Sequence, residues 1–257
     1  MNPQAAAKRF DGIASNYVTS EVHRASASMA YVKERFADRS DLRLLDLACG
    51  AGHFGFTLSP HASHVTFCDP SPSMLVAVAD RAGSLGLEIA TVDGSAEDLP
   101  FEDSSFDLVL SRLAPHHFSD PAKAVAEIAR VLAPGGHCAI VDLEGAFYPT
   151  ADALNHSLEV LHDPTHGRSY TQIEWCRFLR AAGLSIEEVQ GGLSESETGV
   201  TIERWCQIAE TDDGARREIE SMLAKATARE LAALGIWHDT SGFRMPIRTA
   251  LYVAFKP

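Results

Sequence analysis

The sequence predicts an α/β fold, a doubly wound and mostly parallel sheet with helices on both faces, and three observations carry that prediction. Short, mostly apolar runs recur from Leu42 onward and alternate with stretches of helical spacing. The runs lack the polar alternation of a half-exposed strand, as expected where helices cover both faces of a sheet. The first run ends in a glycine-rich turn, Asp46-Leu47-Ala48-Cys49-Gly50-Ala51-Gly52, and the second ends in an acidic residue, Asp69.

Ahead of the sheet, Ile13, Tyr17, Val22, Met29, Val32 and Phe36 recur at a mostly helical spacing, which gives one or two leading helices. Leu42–Leu47 is the first strand, Phe54–Leu58 the short helix opened by the glycine turn, and Val65–Cys68 the second strand. Pro72–Leu85 sets Met74, Leu75, Val78 and Ala82 on one helical face and stops at Gly86, a residue suited to a C-cap. Leu87–Val92, Phe106–Ser111 and His137–Leu143 follow as strands. A helix over Pro121–Leu132 has proline in its first turn and Pro134-Gly135-Gly136 beyond its end. A helix over Thr171–Ala182 closed by Gly183, with strands near Ile186–Val189 and Arg248–Phe255, completes a seven-stranded sheet. A short helix near Asp152–Leu161 and two inserted helices, Val200–Ala209 and Asp213–Leu234, supply an α-helical cap. The expected division is a helical lead-in over residues 1–40 and one elaborated domain over 41–257, with cap segments near 144–170 and 193–246.

Composition narrows the function. The chain is 46% hydrophobic and 22% charged, an ordinary globular balance, and its formal charge of −13 repels a polyphosphate backbone, so a nucleic-acid substrate is disfavoured. Five cysteines stand without a CxxC pair, and no apolar stretch is long enough to span a bilayer, which together predict reduced packing thiols, no membrane partner and a cytoplasmic location. No metal site is expected, because His162, Asp163 and His166 lack the rest of a coordination set.

A strand feeding a glycine-rich turn that opens a helix brings backbone close to a ligand and offers free N–H donors, but dinucleotide enzymes use nearly the same device. The ordered set of motifs is more specific. Leu44-Leu45-Asp46 through Gly50-Ala51-Gly52, Cys68-Asp69-Pro70-Ser71-Pro72-Ser73-Met74-Leu75, Ser95-Ala96-Glu97-Asp98-Leu99-Pro100-Phe101 with Ser105-Phe106-Asp107, and Arg130-Val131-Leu132-Ala133-Pro134-Gly135-Gly136 stand in that sequence. Together they resemble class I S-adenosylmethionine-dependent methyltransferases, within the ubiquinone and menaquinone biosynthesis group and its small-molecule relatives. Phe10-Asp11 through Asn16-Tyr17 is similar to that group's lead-in.

The resemblance implies a Rossmann-like fold, S-adenosylmethionine as cofactor, S-adenosylhomocysteine as product, and methyl transfer to an O, N or C atom of a small-molecule acceptor. It implies cofactor contacts from Tyr17, Asp46, Ala48, Gly50, Gly52, Asp69, Pro70, Met74, Ser95, Ala96, Glu97 and Ser111, with Asp46 near the amino group and Asp69 on the ribose hydroxyls. Position 95 departs from the family, whose common Asp there bonds the adenine amino group. Asp107, Cys49 and Cys68 read as structural, and His53 as a solvent-facing helix residue.

Open α/β sheets bind ligands beyond the carboxyl ends of their strands. The loop after the fourth strand, which carries His116 and His117, therefore holds the first candidates for a base or an acceptor-orienting group, since imidazole titrates near neutral pH. His166 and Tyr170, with His162 and Arg168, lie in the cover segment and are further candidates. The sequence leaves open a cyclase or rearrangement enzyme that binds the same cofactor without net methyl transfer, a non-catalytic cofactor-binding protein, and a monomeric or homodimeric state.

Overall fold

The computed structural model describes residues 6–13, 26–196 and 198–257; Tyr17 lies outside them. Helix α1 (6–13) and α2 (Ala27–Arg35) precede β1 (Leu42–Leu47), α3 (His53–Leu58), β2 (Ala62–Cys68), α4 (Pro72–Leu85) and β3 (Ala90–Val92). Then come β4 (Phe106–Arg112), α5 (Pro121–Val131), β5 (Leu132–Leu143), α6 (Pro149–His162), α7 (Gln172–Ala181) and β6 (Ser185–Ser194). The C-terminal part holds β7 (Val200–Thr201), α8 (Ile202–Ile208), α9 (Asp213–Lys225), α10 (Ala228–Leu234), β8 (Trp237–Asp239), β9 (Gly242–Met245) and β10 (Arg248–Phe255).

The main sheet has seven strands in the order β3-β2-β1-β4-β5-β10-β6. Its first five strands pair in parallel, while β10 lies antiparallel between β5 and β6. Alternation within the strands explains the apolar runs. Leu45, Leu47, Val109, Ile140 and Tyr252 pack against α5 and α7 on one face. Leu44, Leu108, Leu110, Val141, Leu251 and Val253 pack against α2, α3 and α4 on the other. Each such side chain contributes about 1.5–3 kcal/mol on burial, which is why both faces must be apolar and no polar stripe shows in the sequence.

Sequence signals mark the helix ends. Ser71, Asp120 and Thr171 accept backbone hydrogen bonds as N-caps, and Gly86 closes α4 at φ +65°. Two expectations need correction. The segment expected as one helix, Asp213–Leu234, breaks at Ala226, where the backbone is extended and Thr227 begins a capping box with Glu230. Pro134-Gly135-Gly136 does not separate α5 from its strand: β5 begins at Leu132, with the Gly135 N–H donating to the Lys256 carbonyl at 2.7 Å.

The cap has its own core. Ala151 and Leu158 of α6, Trp205 of α8, Ile219 and Leu223 of α9 and Leu234 pack with Met245 of a small antiparallel sheet, β7-β9-β8, which the sequence did not announce. A buried ion pair ties the carboxyl end of the central strand β4 to helix α2. The Arg112 guanidinium, at the end of β4, donates to Glu195 Oε2 at 2.7 Å; the Ser28 hydroxyl donates to the same oxygen at 3.0 Å, and Thr249 to Oε1 at 2.7 Å. Among the described residues no helix is long and apolar enough to cross a membrane.

Candidate active site

At the end of β1 the chain turns sharply, with Ala48, Gly50 and Gly52 at φ +50°, +49° and +74°. A Cβ on Gly55, in the first turn of α3, would stand 2.6 Å from the Phe67 ring and 2.9 Å from Asp46 Cβ, so only glycine lets α3 lie this close to β1 and β2. That approach brings the Gly55 N–H to Asp46 Oδ2 at 2.8 Å. Asp69, just beyond β2, accepts from the Gly50 N–H at 2.8 Å and the Ser71 N–H at 2.9 Å, pinning the turn to the start of α4. Burial pushes the Asp46 carboxyl up to about 8 and that of Asp69 up to about 6, which primes both to ionise against a cation or hydroxyl donors placed beside them.

A cavity of 130 Å³ lies over this turn. Of the sequence-predicted contacts, Asp46, Ala48, Gly50, Asp69, Pro70, Met74, Ser95, Ala96 and Glu97 line it. Ser95 donates its hydroxyl proton to Glu97 Oε2, while Glu97 Oε1 accepts from the Ser119 N–H at 2.7 Å and hydroxyl at 2.9 Å. With its proton so engaged, the Ser95 oxygen is left as an acceptor, and it already takes the Glu97 N–H at 3.4 Å. Two expected contacts do not line the cavity. Gly52 is covered by Phe56, Phe67 and Val78 and serves packing, and the Ser111 hydroxyl is buried in β4. His53 is not solvent-facing: the tight seat of α3 turns it inward, where Arg81 contacts Nδ1 at 2.7 Å and the ring joins the cavity wall. Asp107 is structural, paired with Arg43 at 2.7 Å. Cys49 lines the cavity with its thiol raised by burial, and Cys68 lies in the core.

A second cavity of 410 Å³ opens between the sheet and the cap, and Phe10, Leu113 and His117 line both. Leu113 sits at φ +50°, rare for a branched residue, with its N–H held by the Val141 carbonyl at 2.9 Å. Beyond it, a 3₁₀ turn over Pro115–His117 presents both histidines. His116 Nδ1 stands 2.6 Å from Asp142 Oδ1, near the end of β5. Burial draws His116 down, but the charge and hydrogen bond of Asp142, together with the charges of Glu159 and Asp163, more than reverse this and leave it above its ordinary value. His117 Nδ1 donates to the Thr165 carbonyl at 2.8 Å, so its tautomer is fixed. The His166 ring stacks on His116 at 5.2 Å, and His162 on Trp205 at 3.9 Å. Burial pulls His117 and His162 down to about 3 and His166 to about 2, so all three are neutral at physiological pH.

His116, His117, His162 and His166 thus converge on this cavity. Tyr170 does not. Its ring packs edge-on against Phe178 at 5.4 Å and Trp175 at 6.2 Å, captured by the aromatic face of α7, and Arg168 pairs with Glu174 at 3.0 Å. Of the cap aromatics, Phe147 and Trp205 line the cavity, while Trp175 is core and Trp237 lies elsewhere on the cap. Sequence reasoning missed Asp142 and Glu159. Asp142 ends an apolar run one strand from His116, and Glu159 is one of two acids on an amphipathic helix, with nothing in the sequence to tell it from Asp152.

Gly50, Gly52 and Gly55 stand at G-x-G-x-x-G spacing, so the turn alone also suits a dinucleotide. The sheet decides otherwise, since the dinucleotide fold runs 3-2-1-4-5-6 without an antiparallel strand between the last two. Residues 45–140 match the family model described as a methyltransferase domain. Residues 45–140 carry a methyltransferase domain. S-adenosylmethionine is the cofactor of such domains, and the buried carboxylates, the open glycine turn and the Ser95 acceptor fit it. The uncharacterized methyltransferase YcgJ of Bacillus subtilis is 37% identical over 59% of this chain and 60% of its own length. The ubiquinone/menaquinone biosynthesis C-methyltransferase UbiE of Brucella canis is 31% identical over 64% of this chain and 63% of its own. The chain therefore matches under two thirds of the length of these curated relatives. The crystal structure of Bacillus subtilis YcgJ superposes on the methyltransferase fold with a TM-score of 0.79 at 29% identity, over 89% of this chain and 97% of that one.

Proposed function

We propose that this protein transfers the methyl group of S-adenosylmethionine to an O, N or C atom of a small, largely apolar metabolite in the cytoplasm, where its five free thiols suit a reducing medium. The single observation that carries the reading is the shared wall of Phe10, Leu113 and His117, through which the cavity over the glycine turn adjoins the larger cavity under the cap. The first holds the donor and the second the acceptor.

When bound, S-adenosylmethionine supplies a sulfonium-activated methyl group, and the chain's own residues do the rest. Asp69 accepts from the ribose hydroxyls, Asp46 takes the amino group, and Ser95 accepts from the adenine amine. The cap, with Trp205, Ile208 and Leu234, excludes water and holds the acceptor, so alignment supplies most of the rate. Where the acceptor must lose a proton, His116 takes it, oriented by Asp142 as the carboxylate of a catalytic triad orients its imidazole.

The test is incubation with S-adenosylmethionine and a metabolite panel, following S-adenosylhomocysteine release and product mass. A product heavier by one CH2 in step with S-adenosylhomocysteine supports transfer. A product isomeric with its substrate, formed without S-adenosylhomocysteine, refutes it in favour of a rearrangement. For an acceptor that loses a proton, His116→Gln lowers kcat by roughly 10²–10⁴-fold with cofactor affinity kept. Asp142→Asn moves the rising limb of the pH profile to lower pH, because the carboxylate that holds the imidazole up is gone.

A further inference from the structure

Of the three acids that line the acceptor cavity, none of which the reaction described above uses, one stands without a hydrogen-bond partner. Glu159, on the inner face of α6, is 9% exposed and lines the cavity, and its carboxyl has no hydrogen-bond or ion-pair partner among the described residues. The other lining carboxylates are occupied. Glu144 accepts from the Gln172 side-chain amide at 2.5 Å, Arg248 Nε at 2.7 Å and the Gly192 N–H at 2.8 Å. Asp163 accepts from Thr165 N–H at 2.8 Å and hydroxyl at 2.7 Å, and pairs with Arg9 at 2.9 Å. Arg248, the one lining arginine, is held by Glu144 and by the Ala233 carbonyl at 3.1 Å, and the lining includes no lysine.

A buried carboxyl without a hydrogen-bond partner is costly to ionise, and burial, with the nearby charges of Asp163 and Asp142, raises Glu159 to about 7 against the opposing charge of His116. Such a group is poised to lose its proton when a cation arrives to pair with it. The same chamber has no uncommitted cation for a carboxylate or phosphate: Asp142 holds the His116 imidazole, whose charge also eases the ionisation of Glu159, and His117, His162 and His166 are neutral there. The charge pattern therefore favours one sign of ligand.

Resting on the reading of this cavity as the acceptor site, we infer that Glu159 is a specificity-determining subsite that anchors a protonated amine, so that the acceptor is an amine-bearing molecule with a largely apolar body. The anchored nitrogen sets the acceptor's orientation; which atom is methylated is a separate matter. Ile208, Leu234, Ile236 and Met245 supply the apolar wall for the body.

The experiment is calorimetry on the protein loaded with S-adenosylhomocysteine, titrated near pH 7 with phenethylamine, phenethyl alcohol and hydrocinnamate, three ligands with one apolar body and different heads. The amine binds more tightly than either other ligand by roughly tenfold or more, the scale of a desolvated charge pair. Glu159→Gln, which keeps shape, and Glu159→Met, which keeps apolar volume, both abolish that preference and leave S-adenosylhomocysteine affinity unchanged. The inference is overturned if the amine fails to bind at millimolar concentration, binds no tighter than the alcohol or carboxylate, or keeps its advantage in either variant. If S-adenosylhomocysteine itself does not bind, the methyl-transfer reading falls, while the same titrations of the unloaded protein still decide the role of Glu159.

Discussion

Replacing Gly55 by alanine sets two effects against each other. Gly55 has ordinary helical geometry, so alanine gains about 1 kcal/mol of helix propensity. Against this, the new methyl group would stand 2.6 Å from the Phe67 ring and 2.9 Å from both Cβ and Oδ2 of Asp46. Phe67 is fully buried in β2 and Asp46 lies in the centre of the sheet, so neither can swing away, and overpacking of this kind costs typically about 1–3 kcal/mol. Displacing α3 also lengthens the 2.8 Å bond from the Gly55 N–H to Asp46, leaving a buried donor poorly satisfied at about 1–3 kcal/mol more. The net effect is a loss of roughly 1–5 kcal/mol, or a fall in Tm of several degrees or more for a chain of this size. Gly83→Ala is the control: it lies within α4 with nothing inside 4 Å of the new Cβ and gains about 0.5–1 kcal/mol. Thermal and urea unfolding of both variants measure this, with S-adenosylhomocysteine titration alongside, which weakens in Gly55→Ala as Asp46 moves. A Gly55→Ala protein as stable as the parent and binding as well would refute the claim that this glycine seats the helix on the cofactor carboxylate.

Glu195→Ala leaves the buried Arg112 guanidinium without its carboxylate and destabilises the fold by about 3–5 kcal/mol in urea titrations; a loss under about 1 kcal/mol would show that the pair is not the tie between β4 and the lead-in helix. Stability against pH follows from opposing groups. His117, His162 and His166, held down by burial, each cost the fold about 1.4 kcal/mol per pH unit as pH falls below about 6.5, because only the unfolded chain takes their protons. Asp46, Asp69 and Glu159, held up by burial, act in reverse, each favouring the fold as it protonates ahead of the unfolded chain. Urea midpoints are therefore near constant from about pH 6 to 4.5 and fall steeply below about 4, where the histidines are joined by carboxylates held down by hydrogen bonds and charges, Asp163 and Glu195 among them, as these protonate; a steady decline from pH 6.5 would contradict the balance. By the same logic, cofactor binding that ionises Asp46 releases protons near pH 7, seen as a buffer-dependent calorimetric enthalpy.

Much of the fold was legible because the sheet is buried on both faces: Leu42–Leu47 and Phe106–Ser111, each apolar at four of six positions, carry apolar side chains on both faces as such a setting requires. The glycine turn and Asp69 were legible because a close backbone approach and a strand-ending carboxylate each leave a local mark. What escaped depends on contacts distant in sequence. Nothing near His116 marks Asp142 as its partner, 26 residues on, and the burial of Glu159 comes from a cap whose small sheet forms from strands of two to four residues. His53 and Tyr170 were misplaced for one reason, since each side chain follows the pose of a helix, α3 or α7, that packing rather than periodicity sets. The break before Thr227 was readable in principle, as Thr227 and Glu230 form a T-x-x-E capping box, but the apolar spacing on either side hid it.

The most direct test of the account is calorimetric titration of the protein and its Asp69→Ala variant with S-adenosylmethionine. The carboxylate that pins the Gly50 turn is also assigned to the ribose, so its loss removes charge-assisted hydrogen bonds of about 1.5–3 kcal/mol each. The account predicts one-to-one binding to the parent and a loss of roughly a hundredfold or more in the variant, with its fold retained by circular dichroism. No binding to the parent, or equal binding to a folded Asp69→Ala protein, would contradict it.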